Sequence, residues 1–453
     1  MDVIEAIRSG HTGPELEQAV LPAEHEAAHL RVEDAERMAS MRVKDVRDSI
    51  HVGLVPVPEP GPDEVLIAVM ASAINYNTVW SALFEPISTF VFLEQFARQG
   101  GWAVRHDQPY HVIGSDAAGI VVRTGVAVRR WRVGDRVVAS PSWIDDQDPG
   151  AQMDGLMAED GRAWGFETNF GGLAQFAIVK ANQLLPKPPL LTWEEAACNS
   201  LCAVTAYRML VSPNGARMKQ GDVVLVWGAT GGLGSYAVQF VRNGGGIPIG
   251  VVGSAAKERA ARRLGCDVVV RRDLLGLDGM DDVEAGRALG RAIRAEVGED
   301  PHIVFDYVGR ATFAQSVFVA RRGGVVVTCG SSTGYRHEYD NRHLWMRVKR
   351  IVGSHGANWQ ECWEANRLIS MGSIVPALSR VHPLDEVGVA ARAVQLNEHM
   401  GKVGILCLAE REGLGVEDAE LRERVGVERL RPLRADADGV AGAAPVPVGE
   451  GGG

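Results

Sequence analysis

The chain has 453 residues, 46% of them hydrophobic and 23% charged, an ordinary globular composition that argues against a largely disordered protein. A formal net charge of −10 at pH 7 gives no support to nucleic-acid binding, which usually shows a basic stripe. Six cysteines scattered through mostly apolar segments argue against a disulfide framework and for a reducing, cytoplasmic compartment, and no apolar run approaches the ~20 residues of a membrane span.

Residues 1–41 read as an N-terminal helical segment, with helical stretches at 3–8 and 14–37 rich in Glu and Ala. The pattern then turns to short strands at 43–58 and 63–73, separated by the turn signal Glu59-Pro-Gly-Pro62. Residues 81–110 form an insertion carrying Phe84, Phe90, Phe92 and Phe96, too apolar for a free loop and expected to pack as a helix or a subunit contact. Gly114-Ser-Asp-Ala-Ala-Gly119 leads into strands and tight turns that suit a compact β domain.

At 223–234 a β-branched run enters Gly228, Gly231, Gly232 and Gly234, with Thr230 and Leu233 between them, and leaves into a helical pattern at 235–242. A dinucleotide-binding βαβ unit begins this way: glycines let backbone N–H groups approach a pyrophosphate, and the helix presents its positive end to the same anion. These six residues are therefore the predicted cofactor cradle. The next strand, 247–253, ends without the acidic residue that grips the ribose 2′-hydroxyl of NAD. It runs instead into Ser254, Lys257 and Arg259, with Arg262 and Arg263 beyond, so a hydroxyl and cations meet the place of a 2′-phosphate. The predicted cofactor is NADPH; the alternative is an ordinary solvated helix face.

Further strands at 267–270, 302–307 and 323–328 alternate with helical or turn material, which predicts an α/β fold with a doubly wound parallel sheet. Residues 399–405 read as a strand, 416–429 as a charged helix, and 414–453 as a largely disordered tail that is Gly/Ala/Pro/Val-rich from Ala435.

Over residues 42–410 these blocks resemble the medium-chain dehydrogenase/reductase superfamily. The resemblance implies a GroES-like β-barrel catalytic domain at 42–205, completed by 361–413, and an NADPH-binding Rossmann domain at 206–360. Zinc-dependent members carry His-Glu where this chain has Ser115-Asp116, together with a closely spaced cysteine cluster that is missing here. Cys198 and Cys202 stand one helical turn apart in an Ala-rich segment, a core arrangement. No metal is predicted, and reduction of an activated C=C bond fits better than alcohol oxidation.

Four segments narrow the chemistry: Asn75-Tyr-Asn77-Thr-Val-Trp80, Trp164-Gly-Phe166-Glu167-Thr-Asn169, Leu344-Trp-Met346 and Arg350-Ile-Val-Gly353-Ser-His355-Gly-Ala-Asn358. Together they resemble the crotonyl-CoA carboxylase/reductases, which couple NADPH-dependent reduction of a 2-enoyl-CoA to carbon dioxide capture. The resemblance implies that the Asn77 amide and the Gly353 N–H hold carbon dioxide, that Glu167 and His355 orient a water, and that Phe166 shields the pocket. It also implies CoA contacts from Arg287, Arg294 and Arg342, and a homo-tetramer built as a pair of dimers. Ala163 and Gly356 stand where short-chain members typically carry bulky residues, so the expected partners are carbon dioxide and an enoyl-CoA longer than crotonyl-CoA. The expected product is an alkylmalonyl-CoA, of the kind that serves as a polyketide extender unit. Competing readings are a plain enoyl-CoA reductase whose enolate is protonated, a quinone reductase, and a noncatalytic nucleotide-binding protein on the same fold.

Overall fold

The computed structural model describes residues 1–434, the Asp278 side chain excepted; the low-complexity stretch from Ala435 lies outside the described residues. One sheet is six-stranded and wholly parallel, in spatial order Val268–Arg271, Ile247–Val252, Val223–Trp227, Ile303–Asp306, Val325–Thr328 and Arg350–Gly353. Val223–Trp227 is buried at every position, as a central strand of such a sheet must be when both of its faces are covered. The chain runs from it to one edge, then returns to its other side and runs to the opposite edge. The carboxyl end of Val223–Trp227 is thus the switch point at which open α/β sheets bind ligands. The last strand, Arg350–Gly353, was not legible as one: it is short, and Arg350, Ile351 and Gly353 are exposed at the sheet edge.

The second sheet has seven strands centred on Glu64–Ala73, whose ten residues are all buried. It pairs antiparallel with Ala117–Thr124, Phe176–Lys180 and Lys402–Leu406. Lys402–Leu406 and its parallel partner Leu378–Pro383 come from beyond the parallel sheet, so the chain returns to the sheet it left. Among the described residues no helix is long and apolar enough to cross a membrane.

Two readings are corrected. Residues 14–37 are not one helix: Gly13–Gln18 is helical, Glu24–Arg31 is a strand between His51–Pro56 and Tyr110–Val112, and Asp34–Ser40 is helical again. Pro22 ends the first helix, and sheet pairing then overrides the helical bias of an Ala- and Glu-rich strand. Residues 414–434 are packed rather than disordered. Ala419–Val425 is a helix, Arg422 donates to both oxygens of buried Glu195 at 2.6 and 2.8 Å, and Leu430 and Leu433 are buried. The apolar insertion forms the helix Thr89–Ala97, which buries Leu93 and Phe96.

Candidate active site

A cavity of ≈ 510 Å³ lies at the switch point, walled by both sheets' connecting segments. Its nucleotide side is the glycine-rich turn. Gly228 has φ +57°, in the left-handed region, and a Cβ on Gly231 would stand 2.3 Å from the Tyr307 hydroxyl. Tyr307 donates that hydroxyl to the Gly228 carbonyl at 2.9 Å and holds the turn's shape. Gly231 caps the helix Gly232–Asn243, whose first amides and positive dipole end suit an anion. Gly228, Thr230, Gly231, Gly232 and Leu233 line the cavity; Gly234 does not, and serves instead to let helix and turn close, since a Cβ there would meet the Gly228 carbonyl oxygen at 2.2 Å.

At the end of Ile247–Val252, Ser254 caps the next helix, its hydroxyl accepting from the Lys257 N–H at 3.3 Å, and both residues line the cavity. Arg259 does not. Two residues past Lys257, it lies about 200° round the helix and points to solvent. Arg262 pairs with Glu258 at 2.9 Å and Arg263 donates to the Pro432 carbonyl at 2.8 Å. The second cation at this corner comes from the start of the short helix Arg272–Leu275: Arg272 lines the cavity with its Nε 3.3 Å from the Cβ position of Gly253. Burial, reinforced by Arg272, lowers the Lys257 pKa. Lys257→Met and Arg272→Met are each expected to weaken NADPH binding about ten- to hundredfold, the worth of a charged hydrogen bond, with NADH affinity little changed. Equal losses for the two nucleotides in a binding titration would refute the assignment of this corner to the 2′-phosphate.

The floor of the cavity is a buried ion pair. Asp116 receives the Lys402 Nζ at 2.8 Å, the Asn75 Nδ2 at 2.8 Å and the Leu201 N–H at 2.7 Å. Lys402, 2% exposed, also donates to the Ile74 carbonyl at 2.7 Å and to Asn75 Oδ1, which uses all three ammonium protons. Burial lowers the Lys402 pKa, but the attraction and hydrogen bond of Asp116, together with Cys202 and Cys198, outweigh it and the net shift is upward. The neighbouring Gly401 N–H bonds the Thr230 carbonyl at 2.7 Å, so the return strand is fastened to the glycine-rich turn. Among the described residues no group of three or more His, Cys, Asp or Glu is placed to hold a metal ion.

The Asn75/Asn77 pair resolves by partner. Both line the cavity, but the Asn75 amide is committed to Asp116 and Lys402, whereas the Asn77 Nδ2 rests on the Ser115 hydroxyl at 2.8 Å. Ser115 gives its one proton to the Trp164 carbonyl at 2.5 Å, so it must accept from Asn77, and this fixes which way the amide faces. Asn77 Oδ1 is buried without a partner. Phe166 and His355 line the same cavity, and Phe92 of the insertion helix packs on Phe166 with ring centroids 5.9 Å apart. Glu167 and Gly353 are not in the lining: Glu167 is turned back onto its own turn, accepting the Ala163 N–H at 2.7 Å, and Gly353 ends the exposed edge strand. Ala163 and Gly356 line the cavity on the same side as Ser142 and Leu156.

The three arginines expected to contact CoA lie outside the cavity lining. Arg287 and Arg294 are exposed on the outer face of the helix Asp282–Val297, and Arg342 is exposed beside Asp340. Arg294 pairs with Asp300 at 2.5 Å and Arg342 with Asp340 at 2.6 Å. None of the three lines the cavity; for Arg287 and Arg294 the reason is that the buried Ala285, Leu289 and Ile293 turn the opposite face of their helix inward. Conversely, Tyr307, Arg272 and Lys402 had no motif to announce their roles, and Ser115 stood out only as a departure from the zinc-dependent pattern.

Residues 61–189 match the family model of the alcohol dehydrogenase GroES-like domain, and residues 232–371 that of the zinc-binding dehydrogenases. The chain is 51% identical to crotonyl-CoA reductase of Streptomyces collinus over 93% of this chain and 96% of that protein. It is 38% identical to crotonyl-CoA carboxylase/reductase of Cereibacter sphaeroides, over 81% and 85% respectively. Among solved structures it is similar to the 2-octenoyl-CoA carboxylase reductase CinF in complex with NADP and 2-octenoyl-CoA. That match has a TM-score of 0.94 and 58% identity, and covers 96% of this chain and 99% of the other; the apo form of CinF is from a Streptomyces species.

Proposed function

The chain belongs to the crotonyl-CoA carboxylase/reductase family of the medium-chain dehydrogenase/reductase superfamily, and on that premise we propose that it is an NADPH-dependent reductive carboxylase of 2-enoyl-CoA esters longer than crotonyl-CoA. The observation that carries this reading is a single cavity in which the glycine-rich turn and its cationic corner meet Asn77, Phe166 and His355 on one side and the small residues Ala163 and Gly356 on another.

NADPH, when bound, supplies the hydride that converts the enoyl thioester to an enolate. The protein's own task is then to keep protons from the α-carbon and hold carbon dioxide there. Carbon dioxide carries no net charge to grip, so directed donors must hold it. The pre-aimed Asn77 amide supplies one, and the Gly353 N–H is assigned the second. His355 and Glu167 orient a water onto the oxygen whose charge grows during attack, as an oxyanion hole does. Phe166, backed by Phe92, keeps bulk water out. Arg287, Arg294 and Arg342, being on the surface, are assigned only to the nucleotide end of CoA. The same reading makes the protein a cytoplasmic homo-tetramer. Trp345, Met346, Val348 and Ile351 leave an exposed apolar edge beside the last parallel strand, and the described cysteines are all free thiols, which supports both statements. The proposed domains are residues 42–205 with 361–413, and 206–360.

The deciding experiment is NADPH oxidation with 2-octenoyl-CoA, with and without bicarbonate and carbonic anhydrase, followed by mass analysis of the acyl-CoA. A product one carboxyl group heavier supports the proposal; octanoyl-CoA alone makes the protein a simple reductase.

Chain length gives a second check. Ala163→Phe should lower kcat/KM for octenoyl-CoA about ten- to hundredfold while sparing crotonyl-CoA, since a side chain there fills space that several methylenes need. Unchanged selectivity would count against Ala163 as the chain-length residue. Gly356 is the poorer site for this test: its φ of +49° disfavours any side chain, and a Cβ would meet the Ser142 hydroxyl at 2.8 Å.

A further inference from the structure

We propose that His399 is a phosphate-binding residue of the dinucleotide site, contributed by the segment that leads the chain back into the antiparallel sheet rather than by the glycine-rich unit. The inference rests on the NADPH reading above. Gln395, Leu396, Asn397, His399 and Gly401 line the same cavity as Ser254 and Lys257. Two residues before His399, Asn397 accepts from the Lys257 Nζ at 3.4 Å; two residues after it, Gly401 pairs with Gly231 and bonds Thr230. The ring is thereby placed between the corner suited to a 2′-phosphate and the turn suited to a diphosphate.

The surroundings of the ring are incomplete. His399 Nδ1 is buried and has no hydrogen-bond partner, an uncommon state for a buried polar atom. The charges that face it are Lys257 from the helix after the second parallel strand, Lys402 from the return strand and Arg380 from that strand's parallel neighbour, all of one sign. Of these, Lys402 is already paired with Asp116 at 2.8 Å. Among the described residues no carboxylate lies within ion-pair distance of Lys257, whose partner Asn397 is neutral. Burial, with these cations, outweighs the favourable backbone contact with Ala393 and pushes the His399 pKa down to about 4, so the ring is neutral at physiological pH. A phosphate oxygen against Nδ1 would satisfy the nitrogen, balance the Lys257 charge and draw a proton onto the ring, because a neighbouring anion favours the imidazolium.

The sign of the linkage follows. The ring's pKa is about 4 without the anion and higher with it, so between those two values binding takes up a proton. The contribution of His399 to affinity therefore grows as pH falls from neutrality towards about 4, and is constant below that, where both states are protonated. The phosphate's own second pKa near ~6 works in the opposite direction, so the informative quantity is the difference between wild type and variant.

The test uses the full-length protein. NADPH is titrated into wild type, His399→Gln and His399→Leu, with affinity read from nucleotide fluorescence and proton uptake from calorimetry in buffers of different ionisation enthalpy. His399→Leu should weaken NADPH about ten- to hundredfold. His399→Gln, which keeps a neutral hydrogen bond, should recover part of that loss while taking up fewer protons than wild type. NADH separates the two phosphate sources: a loss confined to NADPH assigns the 2′-phosphate, and an equal loss for both nucleotides assigns the diphosphate, each in support. Variants with wild-type affinity and wild-type proton uptake overturn the inference. If the leucine variant fails to fold, the glutamine comparison decides alone. Wild-type protein that binds no NADPH overturns the cofactor reading as well, whereas tight wild-type binding with indifferent variants overturns only this one.

Discussion

Lys402→Met is expected to lower the unfolding free energy by about 3–5 kcal/mol, the typical cost of removing one partner from a buried ion pair. The cost does not come from losing an attraction alone. It comes from leaving Asp116, fully buried, with a carboxylate that has only Asn75 and the Leu201 N–H to satisfy it. Removing both charges should therefore hurt less than removing one: Lys402→Met combined with Asp116→Leu is predicted to sit closer to wild type than Lys402→Met does. Urea unfolding midpoints of the three variants measure this. A Lys402→Met protein as stable as wild type would mean that the pair is not the structural floor described above. NADPH binding should weaken in the same variant, because Lys402 follows Gly401, which fastens the return strand to Thr230.

The second large effect is on product identity. Asn77→Leu should reduce the ratio of carboxylated to saturated product about a hundredfold, the scale on which a single pre-aimed donor acts in an oxyanion-type site. Hydride transfer itself asks nothing of Asn77, so NADPH oxidation should persist. The structure extends the expectation to Ser115→Ala, a residue absent from the cavity wall. Without the Ser115 hydroxyl, Asn77 Nδ2 loses its acceptor and its amide loses the constraint on which way it faces. Ser115 is a positioning residue, and its variant should shift the product ratio in the same direction with little change in KM for NADPH. Mass analysis of the products tests both. A Ser115→Ala enzyme with the wild-type ratio would separate Asn77's orientation from its role, and an Asn77→Leu enzyme that still carboxylates would remove Asn77 from the reaction.

Local patterns were legible where chemistry and chain direction coincide. Four glycines between a β-branched run and a helix read as a tight turn of the kind that suits an anion, and the structure builds that turn. Periodicity placed most of the parallel strands, because a strand covered on both faces writes its burial as an unbroken apolar run. It failed for Glu24–Arg31, whose Ala and Glu favour a helix until sheet partners from residues 51–56 and 110–112 take its backbone hydrogen bonds. Charge patterning in the helix Ala255–Arg263 was only partly informative. It showed that cations gather there, but a helix displays each successive residue in a new direction, so Lys257 meets the cavity and Arg259 meets water. Cys202, read as a core residue, is buried as expected and also touches the cavity beneath Gly232.

By itself, then, the sequence determined the fold class, the nucleotide-binding turn, the preference for a phosphorylated dinucleotide and the family, since each is written in short local segments that can be read one at a time. Only the tertiary structure decided which partners each of the two asparagines takes, which cations stand at the cavity's corner, what pairs with Asp116 and where His399 lies. Each of those depends on a partner distant in the chain: Asp116 with Lys402, Ser115 with Trp164, Gly253 with Arg272, Lys257 with Asn397. A side chain's chemistry is set by what folds against it, and no spacing rule along one segment carries that information.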